Sequence, residues 1–257
     1  NVTVLSKGGD IHMQHAELLT APDHEISIAV LSSGGNSSLN KLMAEALMDI
    51  ALDEKGIEIT HRRSAEKELA GPVPESYRQY EDIYVSVGGV FRVTFPDMKY
   101  LQIEQLDSVR KNVQKFMYTT EESFVLTEEN SSGEIKQKKD SSVLTFRKRN
   151  GTDYICESSE SGTSETGITK NSVYIMQRTG KNPLDSDVKK AWDERFGKKY
   201  LYINGKYSNM YYLANPYIEI NRTQDTEGYV NHCRIVSENR AEVCASIPGS
   251  GRDLSDM

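Results

Sequence analysis

With 257 residues, 37 % of them hydrophobic and 27 % charged, the chain has the make-up of a folded globular protein of one large or two modest domains, not of a disordered polymer. Its net charge of −7 argues against non-specific nucleic-acid binding, which needs clustered cations to replace phosphate counterions. No apolar run approaches the roughly 20 residues of a membrane-spanning helix. No span is therefore expected, and a lipid anchor stays open.

The chain begins at Asn1 rather than Met, as it would after removal of a leader. Near this end, Asp10, His12, His15 and His24 supply imidazole and carboxylate, the ligand types that suit zinc. No paired motif follows them, and polar surface is the simpler account. The first well-organised stretch is residues 26–63. Ile26, Ile28, Val30 and Leu31 have strand length and apolarity. "SSGGNSS" then leads into a helix whose Leu39, Leu42, Met43, Ala46, Leu47 and Ile50 form one apolar stripe. Ser37 or Ser38 can cap its start, and Gly56 can end it in the left-handed conformation. Ile57 and Ile59 alternate with polar residues as a second strand, and "SAEKELA" reads as a short helix before Gly71-Pro72. Strand, helix and strand in this order predict a parallel pair with the helix docked through Leu42, Leu47 and Ile50.

After Pro74, "DIYVSVGGVFRVTF" and "KYLQIEQL" read as two strands, with a bulge at Gly88-Gly89. "DSVRKNVQKFM" has helical periodicity through Val109, Val113, Phe116 and Met117. Asn150-Gly151 and Asn204-Gly205 lie between alternating segments, the sequence of a type I′ turn, and predict hairpins at 143–156 and 199–213. Residues 156–172 read as a polar loop and 185–196 as a last helix. The expected fold class is α+β: an N-terminal α/β layer with a mixed sheet over residues 1–107, followed by a mainly antiparallel β region over 108–257.

The three cysteines are Cys156, Cys233 and Cys244. A two-residue turn at Glu238-Asn239 sets Cys233 opposite Cys244, at a separation local twist can close to a disulfide. Two small buried thiols are the other reading. Five N-x-[ST] sequons occur, at Asn1, Asn36, Asn130, Asn150 and Asn221, and serve as surface acceptors where the cell glycosylates. Both features lean toward an extracytoplasmic location: periplasm, cell envelope or secreted.

"SSGGNSS" follows a strand and opens a helix, the context of an anion site built from backbone N–H groups. Residues 33–38, "SGGNSS", resemble the S-G-G-x-D-S loop of the PP-loop ATP pyrophosphatases, with Ser37 where that family has Asp. That resemblance implies a nucleotide site; a plain strand-to-helix corner is the alternative. Residues 25–95 also resemble the opening of the curli-secretion-type lipoproteins and the penicillin-binding-protein activator lipoproteins. The shared order is strand, loop, amphipathic helix, strand ending near Arg (here Arg62-Arg63), and short helix ending in Leu (here Leu69). Ser32 and Ser33 stand where those proteins commonly have Asp-Phe, and no lipid-attachment Cys is visible. This resemblance implies a non-enzymatic assembly or activator protein of the bacterial envelope.

Eight aromatic residues crowd between Trp192 and Tyr217, Tyr207 and Tyr211 among them. Such residues either pack a hairpin core or form a platform for sugar or peptide. Neither G-x-S-x-G nor a cysteine-nucleophile motif is present, and no carboxylate pair has glycosidase spacing. The reading is therefore a non-catalytic extracytoplasmic binding or assembly protein with a protein or glycan partner. No cofactor, metal or catalytic residue is assigned. Its candidate ligand residues are Ser33, Gly34, Gly35, Asn36, Tyr207 and Tyr211. The alternative is a phosphate- or nucleotide-using enzyme with the 32–38 loop as anion site. Oligomeric state is not legible.

Overall fold

A computed structural model describes residues 2–11, 13–60, 65–108, 110, 112–129, 135–138, 141–163, 167–201, 217–220 and 227–249. Contacts group the chain into two compact units, Asn1–Ala65 with Glu160–Lys170, and Glu66–Ser159 with Asn171–Met257. The expected break at residue 107 instead falls between two paired strands of the second unit.

The first unit is an antiparallel meander with one helix packed on it. Strands β1 (Leu5–Ile11), β2 (Gln14–Ala21) and β3 (Ile26–Ser33) pair in sequence order. A single 3₁₀ turn, Pro22–His24, joins β2 to β3, with Glu25 at φ 55 completing the reversal. The expected parallel pair does not form. Residues 57–60 are not a strand, and β3 lies antiparallel to β2 with Leu19 opposite Ile28 and Ala21 opposite Ile26. A tight turn supplies an antiparallel neighbour directly, whereas a parallel one needs a crossover.

Helix α1 (Ser37–Glu54) is capped by Asn36, whose Oδ1 accepts the Leu39 N–H at 3.1 Å. At its far end Gly56 has φ 75; its N–H donates to Asp53 O and that of Ile57 to Leu52 O. This reciprocal pair is the glycine-dependent stop read from the sequence. Ile57 then packs in the same apolar cluster as Leu52. The buried face, however, is Asn40, Ala44, Met48 and Leu52, set against Leu19, Ala21, Ile26 and Val30. Leu47 and Ile50, expected in the core, are exposed. Ala44 lets the helix come close to the sheet, and Asn40 satisfies its buried amide on His15 O at 3.0 Å. The wider stripe has no such fit.

The second unit is built on a closed barrel, so the protein is mostly β and the α+β reading with an α/β layer is overturned. Its strands are β4 (Asp82–Ser86), β5 (Gly89–Thr94), β6 (Leu101–Gln105), β7 (Asn112–Tyr118) and β8 (Phe124–Glu129). A short β9 (Ile135–Gln137) adds to β8, and β10 (Val143–Arg149), β11 (Thr152–Thr163) and β12 (Gly167–Arg178) complete the set. Neighbours run β10-β11-β12-β4-β5-β6-β7-β8, and pairing of β10 back onto β8 closes an eight-stranded antiparallel ring. An eight-stranded barrel is just wide enough for side chains to fill. Every strand of the ring contributes: Tyr84, Val93, Leu101, Ile103, Phe116, Tyr118, Phe124, Leu144, Ile155 and Met176 form one cluster. Tyr77 and Tyr80, from a 3₁₀ turn at Glu75–Tyr80, add to it, with Tyr80 stacked on Phe146 at 4.4 Å. Beside Tyr84, Arg178 binds Asp82 at 2.9 Å and Asp153 at 3.2 Å. Burial opposes the Arg178 charge, but these carboxylates outweigh it and hold its pKa above the usual value.

Several local expectations change with this architecture. The segment expected as a helix near 107–117 contains β7, because Gln114, Phe116 and Tyr118 alternate onto the face of Ile103, Leu101 and Phe124. The polar loop expected at 156–172 is instead most of the β11–β12 hairpin, where threonines suit an extended backbone. Val87-Gly88 is a hairpin turn rather than a bulge, and Gly89, at φ 134, lets the Asp107 carboxylate pass where a Cβ would sit. The Asn150-Gly151 turn is as expected, with φ 50 and φ 82 and Arg149 opposite Thr152.

Beyond the barrel lie α2 (Ser186–Asp193), within the expected 185–196 helix, then β13 (Lys199–Leu201) and β14 (Tyr217–Glu219). β13 pairs with β14, and the rest of the hairpin expected at 199–213 lies outside the described residues. A final three-stranded sheet follows: β15 (Tyr229–Val230), β16 (Cys233–Ser237) and β17 (Arg240–Val243). Tyr229, Ala245 and Ile247 cover the outer barrel face of Ile83, Val85 and Val90, which is why β4 is buried on both sides. Trp192 of α2 packs on Val230, Cys233, Ile235 and Ala241, and its indole N–H donates to Ser237 O at 2.8 Å.

Candidate functional site

The loop after β3 is shaped by its two glycines. Gly34 and Gly35 have φ 78 and 80, a left-handed pair that few other residues adopt. The Gly34 N–H donates to Met13 O at 2.7 Å, and the Ser32 hydroxyl to Gly34 O at 3.4 Å. A Cβ built on either glycine meets nothing within 4 Å, so the loop lies open rather than wrapped around a cradle. Residues 32–40 carry no charged side chain. The first cation beyond them, Lys41, sits 3.8 Å from Glu45. Lys41 also lowers the pKa of Glu17, though burial prevails and leaves that pKa raised. Ser33, Gly34, Gly35 and Asn36 are therefore contiguous at one corner, with Asn36 already committed to capping α1. Tyr207 and Tyr211 lie outside the described residues, as do His61, Arg62, Arg63 and His12. Among the remaining aromatics of that region, Trp192 and Phe196 belong to the core under the last sheet. Tyr200 and Tyr217 are exposed, with Lys199 4.5 Å from the centre of the Tyr217 ring.

Of the N-terminal metal-ligand candidates, Asp10 and His15 meet across the β1–β2 ladder, His15 Nδ1 lying 2.5 Å from Asp10 Oδ1. No group of three ligating side chains forms among the described residues. Ser32 stands opposite His15 on β3, giving an Asp-His-Ser row. The row lacks a Ser–His hydrogen bond, because the Ser32 hydroxyl is turned to the loop carbonyl. It is not an assembled nucleophile.

The expected disulfide is absent: none of Cys156, Cys233 and Cys244 is disulfide-bonded. The two-residue turn does form, with Ser237 opposite Arg240. A bulge at Val236 then shifts the register by one, so Cys233 faces Val243. Neighbouring strand residues point to opposite faces. Cys233 accordingly packs with Trp192, while Cys244 packs with Tyr229 and Ile247 on the other side of the sheet. Burial raises the thiol pKa of both Cys156 and Cys244, the opposite of what a reactive cysteine needs.

The main surface that sequence reasoning assigned elsewhere is apolar and lies on the first unit. On α1, Leu39 (54 % exposed), Met43 (56 %), Leu47 (43 %) and Ile50 (58 %) form a continuous outward stripe. On the sheet face away from α1, Leu18 stands beside Ala29 and Ala16 beside Leu31, which is 77 % exposed. Leu5 and Ile11 extend this face along β1. The signal was visible as the apolar stripe of α1, but periodicity cannot say which side of a helix meets a core.

Compared with protein-family models, curated proteins and solved structures, the chain matches none. No helix among the described residues is long and apolar enough to cross a membrane.

Proposed function

We propose that the chain is a non-catalytic binding or assembly protein acting outside the cytoplasm, and that residues 1–65 carry its binding surface for another protein. What supports this reading is apolar side chains exposed on both outer surfaces of a small two-layer unit, the α1 stripe and the bare sheet face. Contiguous apolar surface of this kind is uncommon unless something binds it. The extracytoplasmic part rests on the sequons, of which Asn150 is exposed at a hairpin tip. The absence of a disulfide among the three cysteines removes the support one had offered. The enzyme alternative loses ground at the 32–38 loop. Phosphoryl transfer spreads negative charge that needs a metal or a cationic clamp, and the loop has no charged side chain. Calorimetry with ATP and Mg²⁺ tests the choice. Binding no tighter than about millimolar is expected. Micromolar binding lost on Gly35→Val would replace this reading with the enzyme.

A further inference from the structure

Helix α1 has its charges at the wrong ends. A helix N-terminus favours anions and a C-terminus favours cations. The first turn of α1 contains no acid and its last turn no basic residue. Asp53 and Glu54 instead lie exposed at the negative end, making no ion pair among the described residues. Lys55, at the cap, spends its ammonium on His24 O. The outward surface between these ends contains a set, with exposed Ala46 beside Leu47, that is symmetric in sequence. Leu39, Met43, Ala46 and Ile50 follow four-three-four spacing, so position 39 mirrors 50 and 43 mirrors 46 about a point between 44 and 45. Such spacing is a helix–helix seam.

We propose that α1 pairs antiparallel with α1 of a second copy across this stripe. A two-fold axis between residues 44 and 45 sets Leu39 against Ile50 and Met43 against Ala46, large beside small. The same operation carries Asp53 and Glu54 of each copy over residues 35–37 of the other. There the open Gly34–Asn36 corner and the positive end of the helix accept carboxylate. One symmetric contact thus covers the stripe and corrects the charge placement at both ends of both helices. A closed two-fold interface also prevents open-ended growth. This inference rests on the binding-module reading and names a partner for one of its two surfaces. A seam from residue 39 to 50 is only about 17 Å long. It falls at the small end of specific interfaces, so self-association is weak and concentration-dependent, in the range of tens of micromolar.

Sedimentation equilibrium of the full chain from about 5 to 500 µM tests this. The weight-average mass is expected to rise from 28.9 kDa toward twice that value. Met43→Glu should hold the chain monomeric throughout with unchanged circular dichroism, since Met43 is exposed in the monomer. The double variant Asp53→Lys with Glu54→Lys should raise the dissociation constant about tenfold. Oxidised Leu39→Cys/Ile50→Cys protein should yield a 39–50 linked peptide between copies, because the two positions lie too far apart to bridge within one helix. A wild-type chain monomeric at 500 µM, a dimer indifferent to Met43→Glu, or 39–39 and 50–50 links would each overturn the proposal. None of these outcomes bears on the ATP calorimetry, so failure here and failure of the binding reading are told apart.

Discussion

The face by which α1 docks has a measurable consequence in two neighbouring residues. Met48 is 3 % exposed among Leu19, Ile26 and Leu52, whereas Leu47, one position away, is 43 % exposed. Met48→Ala removes a buried side chain and leaves a cavity against the sheet, a change that costs about 2–5 kcal/mol. Leu47→Ala leaves the sheet contact intact and keeps a good helix former, so its cost should stay within about 0.5–1 kcal/mol. A difference of even 2 kcal/mol changes the folded-to-unfolded ratio roughly thirtyfold, a large share of a small unit's stability. The assay is urea unfolding followed by helical circular dichroism, at protein concentrations below about 5 µM where α1 faces solvent. Hydrogen exchange of the α1 amides gives a readout confined to this unit. Equal destabilisation by both substitutions, or a larger effect at Leu47, would refute the docking described here.

Two further predictions concern the second unit. Burial raises the Asp107 pKa, against the opposing pull of Gln105, backbone N–H groups and His232. The folded state therefore holds the proton more tightly than the unfolded one. That contribution is full below the ordinary aspartate value and is lost as pH rises through the folded value. Asp107→Asn, which cannot ionise, should gain stability relative to wild type as pH rises above the ordinary aspartate value of about 4, read from urea midpoints; a constant difference would contradict the assignment. Alkylation of the denatured, unreduced chain should label Cys156, Cys233 and Cys244 alike, and a Cys233–Cys244 linked peptide by mass spectrometry would refute the bulged register.

What could be read from the sequence was whatever a few adjacent residues impose on their own backbone. Asn150-Gly151 specifies its turn because both positions take positive φ, and Glu238-Asn239 closes a two-residue turn. Gly56 stops α1 because it adopts the left-handed conformation that releases N–H groups to the last carbonyls. The extents of α1 and α2, and the corner at Ser33–Asn36, follow from similarly local chemistry. The tertiary structure alone decided the rest. Apolar residues lie nearly all round α1, so only the sheet beneath, where Ala44 fits and Asn40 reaches His15 O, selects one side. One extra residue at Val236, invisible to any pattern, turns Cys244 away from Cys233. Residues 107–117 carry a helical period yet contain most of β7, and 156–172 look like a loop yet lie largely within β11 and β12. The free energy of closing a barrel is gained by strands far apart in sequence, β8 meeting β10 and β12 meeting β4, and it outweighs the weak preference of any single segment.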